Sequence, residues 1–116
     1  MTPKPWGRPR IRVSKPEDRT RVSRRFGTRT FDSKAEAKRW DHLEALWDSG
    51  EVSLVLLQPA FYLPGKTRYA ADFLVFYADG RVEIEDVKGM RTDSYKRAKK
   101  QVEDLYGVEI TEVKAR

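Results

Sequence analysis

The dipeptide Asp79-Gly80, set between two apolar runs, constrains this chain more than any other feature. Phe73-Leu74-Val75-Phe76-Tyr77 precedes it and Val82-Glu83-Ile84-Glu85-Asp86-Val87-Lys88 follows it. An Asp-Gly pair so flanked is a strong β-hairpin signal, because it accepts the positive φ that hairpin turns require. Antiparallel pairing across Arg68 to Gly89 brings the start of the first run beside the end of the second. Residues two apart in a strand share a face, so Asp86 and Lys88 point the same way and Asp72 falls near them. Leu74 and Phe76 point to one face and Phe73, Val75 and Tyr77 to the other, the mark of a central strand.

The rest of the chain is read outward from that hairpin. Residues 1–20 carry four prolines and few apolar side chains, which predicts a flexible arm, with a single domain over 21–116. Arg21 to Phe31 alternates weakly about Gly27-Thr28 and is expected as a small hairpin or a strand entering the body. A helix is predicted from Asp32-Ser33 to about Ser49, ended by Gly50, with Ser33 and Glu36 spaced as a capping box. Trp40, Leu43 and Trp47 follow Glu36 at spacings of 4, 7 and 11, so Glu36 continues the apolar stripe. A carboxylate there is costly unless paired, capped or metal-bound. Glu44 lies about 80° off the stripe and is a weaker candidate. Glu51 to Leu63 is β-branched and interrupted by Pro59, hence one bent strand or two strands. A second helix is expected from about Asp93 to Tyr106, closed by Gly107, and a last strand over Val108 to Val113. A helix joining two strands of one sheet suggests a parallel crossover. The order α, three or four β, α, β makes the fold class α/β or α+β, a mixed sheet flanked by helices.

Composition narrows the chemistry. One chain of 116 residues without cysteine excludes disulfides and thiolate metal sites, and a single histidine, His42, excludes a multi-histidine zinc site. No run reaches the roughly 20 apolar residues of a membrane span, and no signal-peptide block is seen, so a cytoplasmic protein is expected. Residues 1–30 hold ten Lys and Arg against Glu17 and Asp18, while the other 86 residues carry a net −2. A basic arm with Trp6 and Phe26 interleaved points to nucleic acid, against the plainer reading of a solubilising tail. A second basic patch, Arg91 to Lys100, adjoins the hairpin end.

Two or three carboxylates without His or Cys suit a hard, oxygen-seeking cation such as Mg²⁺ or Mn²⁺. A metal-bound water can attack a phosphodiester, and a lysine two residues from a ligand can orient that water and stabilise charge on phosphorus. Asp72, Asp86 and Lys88, completed by Glu36 or the Val87 carbonyl, would form such a site. The competing reading makes Asp86 and Lys88 an end-of-strand ion pair. Asp72 and Asp86 interrupting apolar faces, and Gly89 permitting close backbone approach, favour the site.

Together Phe31-Asp32-Ser33-Lys34-Ala35-Glu36, Gln58-Pro59, Tyr69-Ala70-Ala71-Asp72-Phe73 and Glu85-Asp86-Val87-Lys88-Gly89 resemble the PD-(D/E)XK nucleases, in particular a small phage-encoded branch. The resemblance covers residues from about 25 to 113; Ala71 stands where the superfamily name has proline. It implies a restriction-endonuclease-like αβββαβ core and Mg²⁺-dependent cleavage, with Mn²⁺ substituting. Asp72 and Asp86 would be metal ligands, Lys88 would sit beside the attacking water and Glu36 would assist. It further implies a homodimeric Holliday junction resolvase of DNA recombination, working in a host cytoplasm on branched DNA. Arg8, Arg10, Arg12, Arg21, Arg24, Arg25, Arg91, Lys96, Lys99 and Lys100 are the expected DNA contacts. The alternatives are a phage nickase or general endonuclease, and a non-catalytic DNA-binding module on the same fold.

Overall fold

A computed structural model of the chain describes residues 14–88 and 92–114, with the main chain alone at Lys88. After a single 3₁₀ turn at Pro16–Arg19 come β1 (Thr20–Ser23), β2 (Gly27–Thr30), α1 (Lys34–Ser49), β3 (Val52–Leu57), β4 (Ala60–Leu63) and β5 (Thr67–Ala70). Then follow β6 (Phe73–Tyr77), β7 (Val82–Lys88), α2 (Asp93–Tyr106) and β8 (Ile110–Lys114). Trp6, Arg8, Arg10, Arg12, Gly89, Arg91 and the Lys88 side chain, all invoked above, lie outside the described residues.

The Asp79-Gly80 hairpin forms as expected, with Phe73 opposite Glu85 and Phe76 opposite Val82, and Gly80 takes a φ of +96°. β6 is central: the four-stranded sheet runs β3-β6-β7-β8. β3 and β7 pair antiparallel to β6, and β8 is parallel to β7 across the α2 connection. The fold is α/β, a mixed sheet between two helices.

α1 starts where Ser33 Oγ accepts the Glu36 N–H at 3.1 Å, and it stops at Gly50, whose φ of +88° suits a residue without Cβ. Its inner stripe of Ala37, Trp40 and Leu43 packs with Phe31, Val52, Phe73, Val75 and Val87 on one face of the sheet. Trp40, Leu43 and Phe73 are essentially inaccessible, and each contributes about 1.5–3 kcal/mol by burial. Trp40→Ala would cost about 3–5 kcal/mol. The opposite face is covered by α2, through Val102, against Ile84, Ile110, Leu63 and Tyr69.

Two local outcomes differ from the sequence reading. Thr67–Ala70, not expected as a strand of its own, forms one: β5 pairs with β4 in a separate ribbon, and only β6 enters the main sheet. The chain leaves β3 at Gln58, whose φ is +52°, and Pro59 cannot donate to a ladder, so pairing breaks there. At the other end, residues 14–20 do not all belong to an arm. Arg19 Nε donates to Phe31 O at 2.8 Å, which fixes the 3₁₀ turn to the body just before the β1–β2 ribbon.

Candidate functional site

Asp72 stands where the chain leaves the β4–β5 ribbon and enters β6. The root of the ribbon is tied by Gln58 N–H to Asp72 O at 2.9 Å and Ala71 N–H to Pro59 O at 3.0 Å. Asp72 N–H then reaches both Glu85 O at 3.0 Å and Asp86 Oδ1 at 3.1 Å. In return Asp72 Oδ2 accepts the Val87 N–H at 2.7 Å. Two carboxylates at the ends of neighbouring strands are thus interlocked through main-chain amides. Asp86 is fully buried and Asp72 half-buried.

Strand alternation places Asp86 on the α2 face, between Ile84 and the position of Lys88, while Glu85 and Val87 face α1. In an extended strand the N–H and C=O of one residue leave by the same edge. The Val87 carbonyl therefore faces the edge beyond the end of β6, where its amide meets Asp72. All these donors are oxygens, two carboxylates and a carbonyl, and the set fits a hard divalent cation and no soft one. Register adds an acid absent from the sequence reading. Asp86 pairs with Glu112 on β8, which sets a half-buried carboxylate beside it on the same face. Ile110 and Glu112 sharing one face of a final strand was the available signal.

Glu36 is buried, 7% exposed, on the first turn of α1, where its amide donates to the Ser33 cap. Among the described residues no three of His, Asp and Glu gather as a metal-holding group. The structure brings Asp72 and Asp86 together.

The neighbouring acid has a different partner. Glu85, 1% exposed, takes a two-pronged contact from Arg39, at 2.8 Å from Nε and 2.6 Å from the second guanidinium nitrogen. Those hydrogen bonds hold the Arg39 pKa above its ordinary value against the opposing pull of burial. Burial, followed by the charges of Glu85 and Glu83, pushes the nearby Tyr77 phenol up.

Several expected DNA contacts are engaged within the fold. Arg21 grips Asp41 at 2.7 and 3.0 Å. Arg25 binds Glu44 at 3.2 Å and Asp48 at 2.8 Å, and lies 4.1 Å over the Trp47 ring. These contacts hold the β1–β2 ribbon on α1 and account for Glu44, whose other partner is Ser23 Oγ at 2.6 Å. Arg24 reaches Asp48 at 3.2 Å, Lys99 reaches Glu103 at 3.0 Å and Lys100 reaches Asp104 at 3.7 Å. Lys96 is exposed, with no side-chain ion pair among the described residues.

A groove of about 470 Å³ runs between α1 and β8, lined by Ala35, Lys38, Arg39, His42, Val87, Val113 and Lys114. Spacings of 3, 4 and 7 put Ala35, Lys38, Arg39 and His42 on one flank of α1, beside the apolar stripe.

A family model described as "Protein of unknown function (DUF1064)" matches residues 24–115. No curated protein matches the chain.

Proposed function

We propose that this chain, which belongs to the DUF1064 family, is a metal-dependent DNA endonuclease built on a PD-(D/E)XK site. The observation that carries the reading is the amide interlock of Asp72 and Asp86, with Asp86 fully buried where a sheet normally holds an apolar residue. The order of α1, β3, β6, β7, α2 and β8 in the main layer supports it, since it has the αβββαβ sequence such a core requires.

In this reading Asp72, Asp86 and the Val87 carbonyl hold Mg²⁺, with Mn²⁺ able to replace it. When bound, the cation supplies a Lewis acid and makes its water a nucleophile near neutral pH. Asp72 and Asp86 need little reorganisation to receive it, because amides fix one oxygen of each carboxylate. Lys88, two positions beyond Asp86 in β7, orients the attacking water and meets the charge that grows on phosphorus. Glu36 acts from the α1 side as an assisting acid.

Branched DNA is the proposed substrate, a four-way junction in particular, cut by a homodimer whose two-fold axis supplies paired incisions. Leu54 and Leu56 on the edge strand β3 are 38% and 45% exposed, and Val82 on β7, in register with Leu54 across Phe76, is 54% exposed; this apolar face supports the pairing of two copies. The test is cleavage of a synthetic four-way junction, a flap, linear duplex and single strand in Mg²⁺, Mn²⁺ or Ca²⁺. Cutting in Mg²⁺ and Mn²⁺, abolished by Asp86→Asn, is the expected result. Equal cutting of all four removes junction preference, and undiminished cutting by Asp86→Asn removes the site.

A further inference from the structure

We infer that the groove between α1 and the β8 edge binds the phosphate backbone of a DNA strand. This rests on DNA being the partner, as proposed above, and does not depend on cleavage.

The lining carries nitrogen and hydrocarbon only: Lys38, Arg39, His42 and Lys114 around a floor of Ala35, Val87 and Val113. Its charge is uncompensated. Lys38 and Lys114 make no ion pair among the described residues, whereas Arg21, Arg24, Arg25, Arg81, Lys99 and Lys100 all pair with acids. Glu85, the acid that Arg39 binds, is buried and fully answered by that guanidinium, so two ammoniums remain.

The same pair makes Arg39 a fixed post. Two of its nitrogens are committed to Glu85, and the third stands 2.8 Å from His42 Nδ1. A guanidinium only donates, so Nδ1 must accept, and the neutral ring carries its proton on Nε2. His42 is thereby set up as a donor. Two exposed ammoniums and an imidazole N–H around an apolar floor match a phosphodiester, whose oxyanion needs donors and whose sugar offers a weakly polar edge. Val87 links the groove to the acids, with its amide on Asp72 and its side chain in the groove floor.

The test reads binding in Ca²⁺ by anisotropy of a labelled duplex across a salt series. Each lysine–phosphate contact adds about 0.9 to the slope of log affinity against log salt. Lys38→Ala/Lys114→Ala is expected to lose about 2 from that slope and at least tenfold in affinity, while Lys38→Arg/Lys114→Arg keeps both. Unchanged slope and affinity in the alanine pair, at an unchanged melting temperature, overturns the inference. NMR of the wild type separates the sources of phosphate. His42 signals that move with duplex support a strand, whereas movement with inorganic phosphate alone overturns it. Asp86→Asn addresses cutting only, so the nuclease reading and the groove fail by different results.

Discussion

Glu85 and Asp86 are adjacent in one strand, both buried, and held in opposite ways. Glu85 faces α1 and is matched by a guanidinium in a two-pronged contact. Asp86 faces α2, and its Oδ1 accepts from a main-chain amide that also serves a second acceptor. A buried charge matched by a buried countercharge is an internal affair of the fold. A buried carboxylate fastened by a main-chain amide is positioned by the backbone itself. The difference separates a residue that secures α1 to the sheet from the residue that the proposed function makes a metal ligand.

The largest test of this contrast removes the countercharge. Arg39→Ala strands Glu85 and is expected to cost about 3–5 kcal/mol in urea unfolding, while Arg39→Met/Glu85→Leu should lie near wild type. If the single and the double variants are equally unstable, packing alone explains the pair. Next comes Asp86→Asn, which preserves shape. Activity should fall about a hundredfold or more, equivalent to several kcal/mol of lost transition-state stabilisation, with far less change in stability. A stability loss with unaltered cleavage would make Asp86 a second Glu85.

Ser33→Ala should cost about 1 kcal/mol, since it frees the Glu36 amide at the start of α1. The drop should appear in unfolding and in the activity supported by Glu36; a drop in stability alone would confine Glu36 to structure. The smallest effect concerns Glu103. Burial raises its pKa, but the Ile110 amide at 2.8 Å and Lys99 outweigh that, and the net shift is downward. A lowered folded pKa stabilises the fold above the unfolded value of about 4.3 and is lost as pH falls through the folded one. Glu103→Gln should cost less than about 1 kcal/mol at pH 7 and flatten the acid side of the stability curve there.

Much of this was legible in the chain because the signals were local. Ser33 and Gly50 bracket α1 by capping chemistry, and Asp79-Gly80 sets a hairpin register that brings Asp72 to Asp86. The separate β4–β5 ribbon was less legible. Nothing in Ala70-Ala71-Asp72 breaks a strand by itself; the break comes from Gln58 and Pro59, distant in sequence, closing on Ala71 and Asp72. Arg39 with Glu85 spans 46 positions, and only the packing of α1 over β7 decides that those two charges meet. Arg21 and Arg25 read as members of a basic arm, whereas the fold spends them on Asp41, Glu44 and Asp48. The groove is not legible in the sequence, because Lys38, Arg39 and His42 look like an ordinary solvated helix flank until β8 is placed opposite.

The donors that interlock Asp72 and Asp86 belong to residues 72 and 87, yet they are backbone N–H groups. Side chains around the pair can therefore be exchanged without erasing the instruction that positions it. Any amino acid at 87 supplies the same donor except proline, which has none. A site written in main-chain hydrogen bonds can persist through extensive change of sequence, and at Val87 only one of the other nineteen residues would delete it outright.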